Sequence, residues 1–145
     1  MPNNDTLVNN AVQWAKEHIG SREYLLMCLA FVEDAVEQSN HIEIFGGDSA
    51  QESADMYGVS ANTGEPPKGA FVFYATHGVV DGQPVNWGHV GLCVGDGRVV
   101  HAWDVVREDD YLALEKLPPA PGWTPPRYIG YAPIERVLAQ PSDRE

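Results

Sequence analysis

The chain has little cysteine, little positive charge and no long apolar run. Its 145 residues include two cysteines, Cys28 and Cys93. Two are too few for a disulfide framework, so both are read as free thiols. Lysine and arginine number 9 against 21 acids, for a net charge of -12. So acidic a surface repels nucleic acid and anionic lipid, and neither is an expected partner. The longest apolar stretch, YLLMCLAFV at 24–32, falls far short of the ~20 residues that span a bilayer. MPNNDT carries no basic segment followed by an apolar one, so no signal peptide is read and a cytoplasmic location is expected. Export without a cleaved leader stays open. No CxxC or HxxxH spacing occurs, which leaves a metal site from His89, His101 and one cysteine without support; no cofactor is expected.

What is present reads as one α+β domain over residues 1–145. The chain is 43% hydrophobic and 21% charged, enough to bury a core at this length. Helical spacing predicts a first helix from about Thr6 to Ile19, ended by Gly20. A second helix lies within SREYLLMCLAFVEDAVEQS, its start ambiguous. A third fits DSAQESADMYG, with Asp48 as cap and Gly58 as stop. AFVFYA at 70–75 predicts a buried strand, THGVVDGQPVNW a loop, and GHVGLCVGDGRVVHA a hairpin of strands near 88–94 and 98–104. PPAPGWTPP, with Trp123 at its centre, reads as a packed rim segment, RYIGYA as a further strand and PIERVLAQ as a last short helix begun by Pro133. VVREDDYLALEKL reads as a solvated acidic face. Helices first and antiparallel strands after is an α+β order.

The hairpin's register decides which of its side chains meet. A two-residue turn at Asp96-Gly97 sets His89 opposite Asp104 and sends His101 to the other face. A three-residue loop Gly95-Asp96-Gly97, a type I turn followed by Gly97 at positive φ, sets His101 opposite Gly91, diagonal to His89 on one face. Only the second register gathers Val90, Leu92, Val94, Val100 and Ala102 on one apolar side, so it is preferred. The other side then carries His89, Gly91 and Cys93 beside His101 and Trp103. Paired histidines beside a glycine suggest a site; polar residues on a solvated strand face are the plainer alternative.

Cys28 is the candidate nucleophile for those histidines, because a thiolate is favoured at a helix N-terminus and beside an imidazolium. That requires the second helix to begin near Leu26, with SREY as an extended lead-in. A start at Ser21 would bury Cys28 two turns inside, inert. Cys93 sits about 13 Å along the strand from His89, too far for proton transfer.

The order Cys28, then KGAFVFY, then GHVGLCVGDGRVVHA resembles the NlpC-type peptidases, a papain-like superfamily of cysteine amidases and endopeptidases, many acting on bacterial cell-wall peptides. That family has a cysteine at a helix start, a strand like GALVFF, a strand GHVGIY and a following strand ending in HA. The likeness covers about residues 8–104 and leaves 105–145 as a C-terminal extension. It implies a papain-like fold, N-terminal helices packed on a central antiparallel sheet. It also implies a peptidase or amidase with Cys28 as nucleophile, His89 as general base and acid, and His101 as the polar residue that orients His89. A small peptide or peptidoglycan fragment is the implied substrate. Tyr24 resembles the family's pocket tyrosine, and Trp87, Trp103 and Trp123 are candidates for an aromatic cleft rim. Cell-wall members usually carry Asp-Cys-Ser-Gly; here the segment is Met27-Cys28-Leu29-Ala30, and Met27 cannot hold a substrate ammonium. Acyl transfer by the same centre, or a silent peptide- or protein-binding module, are the alternatives. Oligomeric state stays open.

Overall fold

The computed structural model describes residues 4–25, 27–80, 82–119 and 121–139. Helices α1 (Asn4–Glu17), α2 (Cys28–Asn40) and α3 (Ala50–Tyr57) precede seven strands. These are β1 (Phe71–Ala75), β2 (His77–Val80), β3 (Gln83–Asn86), β4 (His89–Gly95), β5 (Arg98–Ala102), β6 (Val106–Asp110) and β7 (Arg127–Ala132). A short α4 (Ile134–Leu138) follows. Five strands form one antiparallel sheet in the order β6-β5-β4-β1-β7. The α+β architecture with helices on an antiparallel sheet is therefore as the sequence predicts.

Alternation along β4 and β5 builds the two sides of the sheet. Val90, Leu92, Val94, Val100 and Ala102 join Phe31, Val32, Val36 and the buried face of α1 in the main core. Cys93 and Val99 face the other way, into a second cluster with Val72, Tyr74, Leu114 and Leu117. That second layer comes partly from the C-terminal third, which is more than an appendage.

Several local expectations change. The hairpin turn is the two-residue one: Gly95 pairs with Arg98, and Asp96 and Gly97 both take positive φ, 53° and 70°. This is the mirror-image turn that Asp-Gly favours. A register shift between Cys93 and Gly95 then restores the pairing of the three-residue alternative, Cys93 with Val99 and Leu92 with Val100. The two registers thus do not exclude each other, because a bulge absorbs the extra residue. THGVVDGQPVNW is not a loop: β2 and β3 form a separate hairpin. Ser49, not Asp48, caps α3, its hydroxyl accepting from the Glu52 N–H at 3.1 Å. VVREDDYLALEKL is not simply a solvated face, since β6 pairs along β5 and Leu114 is buried.

Helix α2 begins at Cys28 because the residues before it are committed elsewhere. The Gly20 N–H donates to the Val106 carbonyl at 2.8 Å, and the Val106 N–H donates to the Ser21 carbonyl at 2.9 Å. This double bond to the start of β6 holds the connection extended. A turn follows, closed by the Met27 N–H on the Tyr24 carbonyl at 2.8 Å. No membrane-crossing helix is found: none among the described residues is long and apolar enough.

Candidate active site

The N-terminus of α2 carries amide donors without intrahelical partners around Cys28. The first intrahelical bond runs from the Phe31 N–H to the Met27 carbonyl at 3.0 Å, and Met27 supplies no side-chain cap. The N–H groups of residues 28–30 therefore lack partners within the helix and point where an anion would be welcome. Burial raises the Cys28 thiol pKa; the backbone amides of Val90, Leu29 and Cys28 itself pull it partly back. The Val90 amide belongs to the residue that follows His89, so the thiol is packed against the start of β4. Cys28 still keeps some exposed surface, and it borders a cleft of about 1060 Å³ that His89 also borders.

His89 opens β4 at the end of a braced segment. Gly88 lies at φ 75°, and a Cβ there would come 2.6 Å from the Gln51 backbone N, so only glycine lets the strand pass this close to α3. The Asn86 side-chain oxygen accepts from the Thr76 and Gly88 N–H groups, at 3.2 and 3.1 Å. Behind His89, a chain of hydrogen bonds runs across the sheet. His89 Nε2 lies 2.8 Å from His101 Nδ1, and His101 Nε2 lies 2.8 Å from an Asp109 carboxylate oxygen. Arg107 then clamps Asp109, with Nε at 2.8 Å and an Nη at 3.3 Å. Gly91 makes this possible, since a Cβ there would lie 2.9 Å from His101 Cβ and closer still to Val99.

The bonding fixes the tautomers. Asp109 is held ionised, its pKa brought down to about 2 first by the His101 bond and then, against burial, by Arg107. An ionised carboxylate only accepts, so His101 Nε2 carries a proton and donates it to that bond. Burial keeps His101 below the ordinary histidine range, against the upward pull of Asp109, so the ring is neutral and its Nδ1 accepts. His89 must then donate through Nε2, which leaves its Nδ1 bare as a base. Burial, reinforced by His101, also holds His89 well below 6.5, so it too is neutral. Burial thus favours the thiol form of Cys28 and the neutral imidazole of His89.

The structure brings Cys28 and His89 to one cleft, with His101 behind His89. Trp87, Trp103 and Trp123 also line the cleft, and Trp103 packs edge-on against His89 with centroids 5.0 Å apart. Tyr24 is placed elsewhere: its ring packs against Trp14, His18 and Phe31, and its hydroxyl donates to Asp34 at 2.7 Å. Asp104, the rival partner for His89 under the two-residue turn, is 69% exposed and faces Arg107 at 3.6 Å. Asp109 was missed at the sequence level. Its signal was alternation in VREDD: Arg107 pairs with His101 across the sheet, and Asp109, two residues on, shares their face. Among the described residues no group of three metal-ligating side chains converges.

The structure of NlpC1 from Trichomonas vaginalis is similar, with a TM-score of 0.61 and 16% identity over 92% of this chain and 45% of that one. The fold is NlpC-like. The chain spans less than half the length of that relative. No protein-family model matches, and neither does any curated protein.

Proposed function

We propose that this chain is a cysteine hydrolase that cleaves an amide in a small peptide or peptide-like substrate through a thioacyl-enzyme. The observation that carries the reading is the bonded series His89–His101–Asp109, which leaves His89 with a bare Nδ1 beside the cleft that Cys28 borders. Cys28 sulfur attacks the substrate carbonyl as its proton passes to His89. The carbonyl oxygen gains charge near the first-turn amides of α2, which have no intrahelical partners. The C–N bond breaks and His89 returns the proton to the leaving amine. Water then attacks the thioester, giving one proton to His89 and thence to the sulfur, and the acid leaves. Because both groups rest neutral, His89 acts as a general base during attack, without a preformed thiolate–imidazolium pair.

A generic acyl donor tests this. Mixed with p-nitrophenyl acetate, the protein is expected to release a burst of nitrophenolate equal to the enzyme present, with one acetyl group on Cys28 by intact mass and peptide mapping. Cys28→Ser should abolish the thioester, and His89→Ala should slow acylation ~10²–10⁴-fold. Acylation no faster than that of free cysteine at the same pH, or indifferent to His89→Ala, would leave a binding module instead.

A further inference from the structure

The walls of the cleft differ in chemistry from end to end. Leu25 and Met27, 55% and 49% exposed, stand on the Cys28 side with Leu29. Large apolar side chains left this open at a cleft mark a surface that something apolar covers. On the His89 side, Trp103 packs against the histidine ring, and Asp104 follows it in the chain. The charges around the cleft are unbalanced. Asp48 and Asp104 border it, against one cation among the described lining residues, Arg107. Arg107 is already matched, bonded to Asp109 and facing Asp104. The net charge of -12 reinforces that sign.

The chemistry orients a substrate within these walls. The leaving amine takes its proton from His89, so it lies on the Trp103–Asp104 side. The acyl group stays on sulfur, so it lies along Leu25, Met27 and Leu29. We infer, resting on the hydrolase reading, that the substrates are amides joining an extended apolar acyl group to an amine that bears positive charge. Two features exclude other occupants. An acetyl-sized group would leave Leu25 and Met27 uncovered in a cleft of about 1060 Å³, slightly above the ~300–1,000 Å³ common for ligand sites. An acidic leaving group would meet Asp104 with no unmatched cation among the lining residues.

Binding to Cys28→Ala protein tests this without turnover. Three probes suffice: N-octanoyl-lysinamide, N-acetyl-lysinamide and N-octanoyl-glutamine with its α-carboxylate free. Affinities are read by calorimetry and by quenching of tryptophan fluorescence. N-octanoyl-lysinamide is expected to bind at least ~10-fold tighter than either of the others, a difference of about 1.4 kcal/mol. Asp104→Asn should narrow the gap between the two octanoyl probes and leave the octanoyl–acetyl gap intact; the uncharged Met27→Ser should do the reverse. Equal affinity for octanoyl and acetyl, tighter binding of the anion, or no binding of any probe overturns the inference. The hydrolase reading fails separately: the affinities rank as expected, yet active protein neither cleaves N-octanoyl-lysinamide nor forms an acyl adduct on Cys28 with the activated ester.

Discussion

The two cysteines are the same chemical group in two regions, and burial raises the thiol pKa of both. Cys93 is fully buried in mid-strand on β4, within the cluster of Val72, Tyr74 and Leu114. Its sulfur donates to the Pro66 carbonyl at 3.5 Å, and the nearby Glu65 and Asp96 charges oppose ionisation further. Cys28 has the amides of α2's first turn, a face on the cleft and a histidine with a bare nitrogen bordering that cleft. Acidity alone does not separate them. The difference lies in what can take the proton and what can reach the sulfur.

The largest test of that contrast swaps the sulfurs one at a time. Cys28→Ala is expected to remove the nitrophenolate burst entirely, a loss of at least ~10³-fold, while Cys93→Ala keeps it within about twofold. Stopped-flow absorbance reads both. Next comes the support behind the base. Asp109→Asn can donate as well as accept, so His101 is free to take the other tautomer and pass the change to His89. Turnover is expected to fall ~10-fold with KM little changed. Nitrogen NMR of the imidazoles provides a readout that simple loosening would not move, because His89 should gain a population protonated at Nδ1. A fall in turnover with His89 still protonated only at Nε2 would show that Asp109 merely braces the strand.

A smaller effect appears in the pH profile. Burial holds His89 below the ordinary histidine value, so its neutral, basic form persists as pH falls. An unperturbed histidine at 6.5 would lose about three-quarters of its base form by pH 6. The value of kcat/KM should instead stay nearly flat from pH 8 to pH 6. The sign for stability is opposite in consequence: unfolded histidines protonate near 6.5 while His89 and His101 stay neutral when folded, so stability declines as pH falls below that value. Short assays keep the two apart. An acid limb centred at 6.5 or above would mean that His89 rests as an ion pair with the thiolate.

The same contrast explains what was legible in the sequence. The hairpin was readable because apolar alternation, Gly91 and an Asp-Gly turn all lie within fifteen residues, and local signals of that kind specify one register face. The turn type was misjudged because a bulge does not change the side-chain pattern beyond it. The start of α2 stayed ambiguous since its cause is distant: Val106, some eighty residues on, holds Gly20 and Ser21 out of the helix. Asp109 was hidden for the same reason, its role existing only once β6 lies beside β5. Tyr24 looked available because its pairing with Asp34 forms across a turn and a helix that the sequence left undivided.

The smallest effect sharpens the comparison from the other side. Cys93→Ala removes one fully buried heavy atom between β1 and β5. The cost is about 1 kcal/mol, or ~3 °C in Tm, read by thermal or denaturant unfolding. Cys93→Ser is smaller than cysteine and can still donate to the Pro66 carbonyl, but it buries a more polar group among Val72, Val99 and Leu114. It should cost as much as alanine or more. Cys28→Ala should cost less than either, since the sulfur it removes borders the cleft and leaves no closed void. If Cys28→Ala proves the most destabilising of the three, that sulfur is doing the work of a core residue, and the argument that sets it apart from Cys93 loses its footing.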